Sequence, residues 1–107
     1  MRNLADMLVT IDPTIEIMGN TESVRQTVRW LQANPRPDLI FMDIHLSDGS
    51  AFAIFDQIEV EAPIIFTTAY DQYAIDAFKV NSIDYILKPI KPEELKRALD
   101  KFSRWNH

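Results

Sequence analysis

The chain has 107 residues, 47% of them hydrophobic and 25% charged, which suffices for one domain with a core and leaves no room for a second. Its 11 Lys and Arg against 16 Asp and Glu leave a formal charge of −5, which argues against a surface that grips nucleic acid by neutralising phosphates. The absence of cysteine excludes disulfides, thiolate metal sites and Cys nucleophiles; no apolar run nears the ~20 residues of a membrane span and no signal segment opens the chain, so a cytoplasmic protein is expected.

In chain order, Leu4, Met7, Leu8 and Ile11 recur at helical spacing, so a helix is predicted at the start. The β-branched run Ile15-Glu16-Ile17-Met18 predicts a strand. Thr21 can cap a helix carrying Val24, Val28 and Leu31, which ends at Asn34-Pro35-Arg36-Pro37. Leu39-Ile40-Phe41-Met42 and Ile64-Ile65-Phe66-Thr67-Thr68 suit strands buried on both faces of a parallel sheet. Between them Ser50 can cap a helix with Phe52, Phe55 and Ile58 inward and Pro63 closing its loop. Asp71 can cap a short helix carrying Ala74, Ala77 and Phe78, followed by the strand Tyr85-Ile86-Leu87. Pro92 opens a last helix, with Glu93 and Glu94 near its positive end and Leu95, Leu99 and Phe102 as its apolar stripe.

This alternation of helix and strand predicts an α/β fold with right-handed crossovers and helices on both faces of the sheet. Ligands of such folds bind at the carboxyl ends of the strands. Three of those ends carry polar chemistry: Asp43 after Met42, Thr68 closing its strand, and Lys88-Pro89 after Leu87. Taken singly, Asp43 could equally cap a turn, Thr68 is an ordinary strand residue, and Lys88 could be a solvated surface lysine. Taken together they place an acid, a hydroxyl and a cation at the ends of successive strands.

From about Leu4 to Phe102 the sequence resembles the receiver domain of two-component response regulators. Asp38-Leu-Ile-Phe-Met-Asp43-Ile-His-Leu-Ser-Asp-Gly49 is similar to the phosphoacceptor strand and its loop. Ile64-Ile-Phe-Thr-Thr-Ala-Tyr70 is similar to the strand of the switch hydroxyl, and Asp84-Tyr-Ile-Leu-Lys-Pro89 to the lysine and cis-proline segment. Ala69-Tyr70-Asp71-Gln72-Tyr73-Ala74 and Val80-Asn81-Ser82-Ile83-Asp84-Tyr85 are similar to receivers attached to LytTR-type DNA-binding domains.

The resemblance implies a flavodoxin-like doubly wound parallel sheet, of order 2-1-3-4-5 in the family, over a single receiver domain at 1–107. It implies Asp43 as phosphoacceptor from a sensor histidine kinase, Lys88 and Thr68 as partners of the phosphoryl group, and Tyr85 as a switch residue. It also implies a cis bond before Pro89, a state of ~5–6% of X–Pro bonds, and Mg²⁺ held by Asp43 and the His45 carbonyl. A domain of this kind is a switch feeding transcription, not a turnover enzyme, and it can form homodimers without touching nucleic acid itself.

One departure stands out. Family members begin with an apolar strand ending in two adjacent acids that share the metal, and nothing here corresponds. Asp6 reads as part of a solvated helix face and Asp12 as the start of a turn with Pro13. The expectation is therefore a receiver lacking its first strand, with weakened Mg²⁺ binding, poor phosphate acceptance and a tendency to self-associate through the vacated sheet position. A degenerate receiver acting as a phosphorylation-independent interaction module is the alternative. An Asp-nucleophile phosphatase is a third reading, although His45 stands where such enzymes usually carry a second Asp. Two isolated glycines make neither dinucleotide nor P-loop motif.

Overall fold

The computed structural model describes residues 4–69 and 82–105. Helices α1 (Leu4–Ile11) and α2 (Val24–Ala33) precede strand β1 (Ile40–Asp43). A two-stranded hairpin of β2 (His45–Leu46) and β3 (Gly49–Ser50) leads to α3 (Phe52–Gln57), β4 (Ile64–Thr68), β5 (Ser82–Leu87) and α4 (Pro92–Trp105). The predicted helix at Asp71, Ala74, Ala77 and Phe78 lies outside the described residues.

Strands β1, β4 and β5 form a parallel sheet in the order β1-β4-β5, with β4 at its centre. All five β4 residues are buried, the apolar Ile64, Ile65 and Phe66 together with the polar Thr67 and Thr68. Alternation of side chains sends Ile64 and Phe66 into a cluster with Met42, Val24 and Val28 of α2 and Ile54 of α3. On the other face Ile65 packs with Ile86, Leu8 of α1 and Leu95 and Ala98 of α4. Helices on both faces and three parallel strands in this order make the doubly wound architecture expected. The rings of Phe52 and Phe55 lie 5.5 and 6.2 Å from that of Phe66, fastening α3 to β4.

Strand β5 carries one irregularity. Ile64 pairs with Ser82 but Ile65 pairs with Asp84, so Ile83 is an extra residue, a bulge. The shift puts Asp84 on the α4 side, where it is buried and meets Arg97 at 3.4 Å and Lys101 at 3.8 Å. A buried acid needs such partners.

Two expectations require correction. Ile15-Glu16-Ile17-Met18 forms no strand: it enters no ladder, and Ile17 and Met18 are 45% and 53% exposed. An apolar run becomes a strand only when a neighbour accepts its backbone, and among the described residues none does. Instead Ile15 packs against the α1–α4 cluster, and Gly19, just beyond the run, lies so close to Trp30 of α2 that a Cβ would come within 2.4 Å of the indole Nε1. Nor does Thr21 cap α2. Ser23 does, its side chain accepting from the Gln26 N–H at 3.0 Å, while the Thr21 hydroxyl pairs with that of Thr27. Asp12 behaves as the sequence suggests, accepting from the Thr14 N–H and hydroxyl.

Ile54 is fully buried at the centre of the α2–α3 cluster. Ile54→Ala is expected to cost about 2–5 kcal/mol by opening a cavity, a large share of a total near 5–15 kcal/mol. Urea unfolding should show a lowered midpoint with an unchanged slope.

Candidate functional site

Parallel pairing fixes which residues gather at the carboxyl end of the sheet. Asp43 is the last residue of β1 and lies opposite Thr67, so Thr68 extends one step beyond it on the central strand. Thr68 in turn lies opposite Leu87, and Lys88 follows immediately. With neighbouring strands ~4.8 Å apart, acid, hydroxyl and cation share one rim.

Lys88 ties the rim together. Its backbone N–H donates to the Thr68 carbonyl at 2.7 Å, and its Nζ donates to Asp43 Oδ2 at 2.5 Å. The Lys88–Pro89 peptide bond is cis, as the family resemblance implies. The pair is open to solvent, with side-chain exposures of 43% for Lys88 and 34% for Asp43, so its charges remain available to an incoming group. Thr68 is fully buried beneath the rim. Tyr85 is half-buried and packs against the α2–α3 cluster, opposite Phe66.

The hairpin after β1 supplies the other contact to the acid. The His45 N–H donates to Asp43 Oδ1 at 3.2 Å, while the exposed His45 residue pairs with Ser50 across β2 and β3. The Ile44 N–H donates to the Thr67 carbonyl, and the Ala51 N–H returns to the Ile44 carbonyl. Gly49 closes the turn at φ 146°, a backbone conformation that favours glycine. Sequence reasoning passed over Asp48 in this loop. Its Oδ1 accepts from the Val24 N–H at 2.6 Å and its Oδ2 from the Arg25 N–H at 3.2 Å, at the start of α2. An acid beside a turn glycine was the visible signal; its partners lie too far along the chain to be read from spacing.

A hard divalent cation needs several oxygens in nearly octahedral array, commonly with one or two carboxylates. Here one oxygen of Asp43 is engaged by Lys88 and the other by the His45 N–H. Among the described residues no group of three or more His, Cys, Asp or Glu side chains gathers. The donor set present does not fit the Mg²⁺ site that the resemblance implies. No described helix is long and apolar enough to cross a membrane.

Residues 1–100 match the response regulator receiver domain family. The chain is 39% identical over 100 residues to the sensory transduction protein LytT of Enterococcus faecalis, covering 91% of this chain and 41% of that protein. It is 40% identical over 93 residues to LytT of Bacillus anthracis, covering 84% and 37%. It thus spans about two fifths of the length of these relatives. Among solved structures, it superposes on the response regulatory domain of mrkE from Klebsiella pneumoniae with a TM-score of 0.74 and 32% identity, over 91% of this chain and 81% of that one.

Two outcomes follow from this geometry. Because the Lys88–Asp43 pair is solvent-exposed, Lys88→Ala should change unfolding free energy by less than about 1 kcal/mol. A larger loss in urea titration would show that the pair holds the fold. Asp48 behaves differently, since the backbone N–H of Val24 holds its carboxyl below the usual carboxylate range. A depressed folded pKa stabilises above the ordinary value of about 3.9 and is lost as pH falls through the folded value. The stability gap between the native chain and Asp48→Asn should therefore narrow between neutral and strongly acidic pH.

Proposed function

Because the chain belongs to the response regulator receiver family, with LytT proteins among its relatives, we propose that it is the phosphoryl-accepting switch of a two-component regulator, with Asp43 as phosphoacceptor. The observation that supports this reading best is the pairing of Lys88 with Asp43 across the carboxyl end of β4, from the ends of the two strands that flank it. A carboxylate oxygen of Asp43 attacks the phosphorus of a phosphohistidine on a sensor kinase. The new P–O bond forms as the P–N bond breaks, and the imidazole nitrogen leaves with the electron pair and takes up a proton. The Lys88 ammonium then turns from Asp43 to the phosphoryl oxygens, whose charge it offsets. Thr68 supplies its hydroxyl to the same group, and Tyr85 fills the space that Thr68 leaves.

Metal plays a weaker part than in the family, because the oxygens gathered around Asp43 are too few; the steps above use only residues of this chain. Phosphate acceptance is correspondingly slow. The same shortage favours a second reading, a receiver that binds its partner protein without being phosphorylated. In either case the partner is a sensor histidine kinase in the cytoplasm, and the output is transcriptional. The domain itself, at −5, does not hold DNA. Nor does it turn over a substrate beyond its own phosphorylation and dephosphorylation. Its α4 and β5 face is the surface offered to a second copy.

Incubation with acetyl phosphate and millimolar Mg²⁺, followed by intact-mass measurement, separates the readings. Slow addition of one phosphoryl group, abolished in Asp43→Asn and lowered about 10²-fold in Lys88→Ala, is expected of the switch. Unchanged labelling of Asp43→Asn would move the phosphoacceptor elsewhere. No labelling at all, with kinase binding retained, would establish the interaction module.

A further inference from the structure

The N-terminus of α2 and the loop that follows the phosphoacceptor strand meet at one side chain. Asp48 projects from the β2–β3 turn and takes the Val24 and Arg25 N–H groups on separate carboxylate oxygens, at 2.6 and 3.2 Å. Beside it the Ser47 N–H donates to the Glu22 carbonyl at 3.1 Å, so the two segments are also joined through the backbone. Ser23 already serves the same helix end as an ordinary local cap for Gln26. Asp48 is therefore not needed to supply a cap where one is missing. It adds a long-range one, reaching across 24 and 23 positions of sequence.

The far end of the hairpin bears on Asp43. His45, across from Ser50 in the β2–β3 pair, gives its N–H to Asp43 Oδ1 at 3.2 Å. A turn clamped at Asp48 holds β2, and β2 holds the amide that orients the acid. We propose that Asp48 is a positioning residue, which couples the first turn of α2 to the His45–Asp43 hydrogen bond so that the two form and open together. This deepens the reading of Asp43 as phosphoacceptor, and its worth to signalling rests on that reading. A partner that displaces the start of α2 would then loosen the orientation of Asp43 from the opposite side of the loop. The negative charge of Asp48 at the positive end of α2 strengthens the clamp, and the Val24 N–H that it accepts holds its carboxyl below the usual carboxylate range.

The test is residue-resolved amide hydrogen exchange by NMR on the chain and its Asp48→Ala, Asp48→Asn and Ser23→Ala variants. In Asp48→Ala, exchange at Val24, Arg25 and His45 should quicken together by roughly tenfold or more, while Ile65 and Phe66 in the central strand keep native rates. Asp48→Asn, which retains one acceptor oxygen, should fall between. Ser23→Ala should quicken Gln26 and leave His45 unchanged. Faster exchange at Val24 and Arg25 with a native His45 would reduce Asp48 to a helix cap and overturn the coupling. If Asp48→Ala raises every amide alike, Asp48→Asn decides. Selective quickening of Val24, Arg25 and His45 there supports the proposal, and uniform quickening overturns it. None of these rates depends on phosphate, so a failure of Asp43 to label would sink the phosphoacceptor reading and leave the coupling intact.

Discussion

Everything in this domain depends on β4 being accepted on both edges at once. A strand whose five residues are all buried has no use for water as a hydrogen-bonding partner, so its backbone must be satisfied by β1 on one side and β5 on the other. That requirement brings together three stretches of chain that are remote in sequence. It also aligns their carboxyl ends, because all three run the same way. The site is thus a by-product of the ladder: Asp43 and Lys88 are 45 residues apart, yet they meet because Asp43 ends, and Lys88 follows, a strand that β4 has fixed.

The helices exploit this alignment differently on the two faces. On the side of α2 and α3 the packing is aromatic and aliphatic, centred on Phe66 and Ile54, and it extends to Tyr85. On the side of α1 and α4 the apolar cluster is accompanied by a buried acid, Asp84, held by two cations of α4. The first face joins the sheet to the loop that carries the chemistry; the second holds the last helix against the sheet through charge as well as apolar contact.

How much of this could be read beforehand varied with the range of the interaction. The buried strands were legible because a continuous apolar run carries its own burial signal, and Asp43, Thr68 and Lys88 were legible because strand ends are where such folds concentrate chemistry. The helical faces of α1, α2 and α4 were legible for the same local reason. Ile15–Met18 misled because strand formation is decided by a neighbour, which the run itself cannot supply. Ser23 displaced Thr21 because two hydroxyl residues two positions apart compete for one cap and only backbone geometry settles between them. The Asp48 clamp and the β2–β3 hairpin were invisible: the first spans more than twenty residues, and the second has only two residues in each strand.

The bulge at Ile83 has a consequence for chain length. Side chains in a strand alternate faces, so a residue gained or lost would ordinarily turn every later side chain to the opposite side. Here Ser82 is in step with Ile64, while Asp84 to Leu87 keep their own step with Ile65 to Thr68. Ile83 lies between the two frames and belongs to neither. A gap in the alignment of relatives is therefore best tolerated at this point: what precedes the bulge can lengthen or shorten, while Tyr85 stays opposite Phe66 and Lys88 arrives beside Asp43.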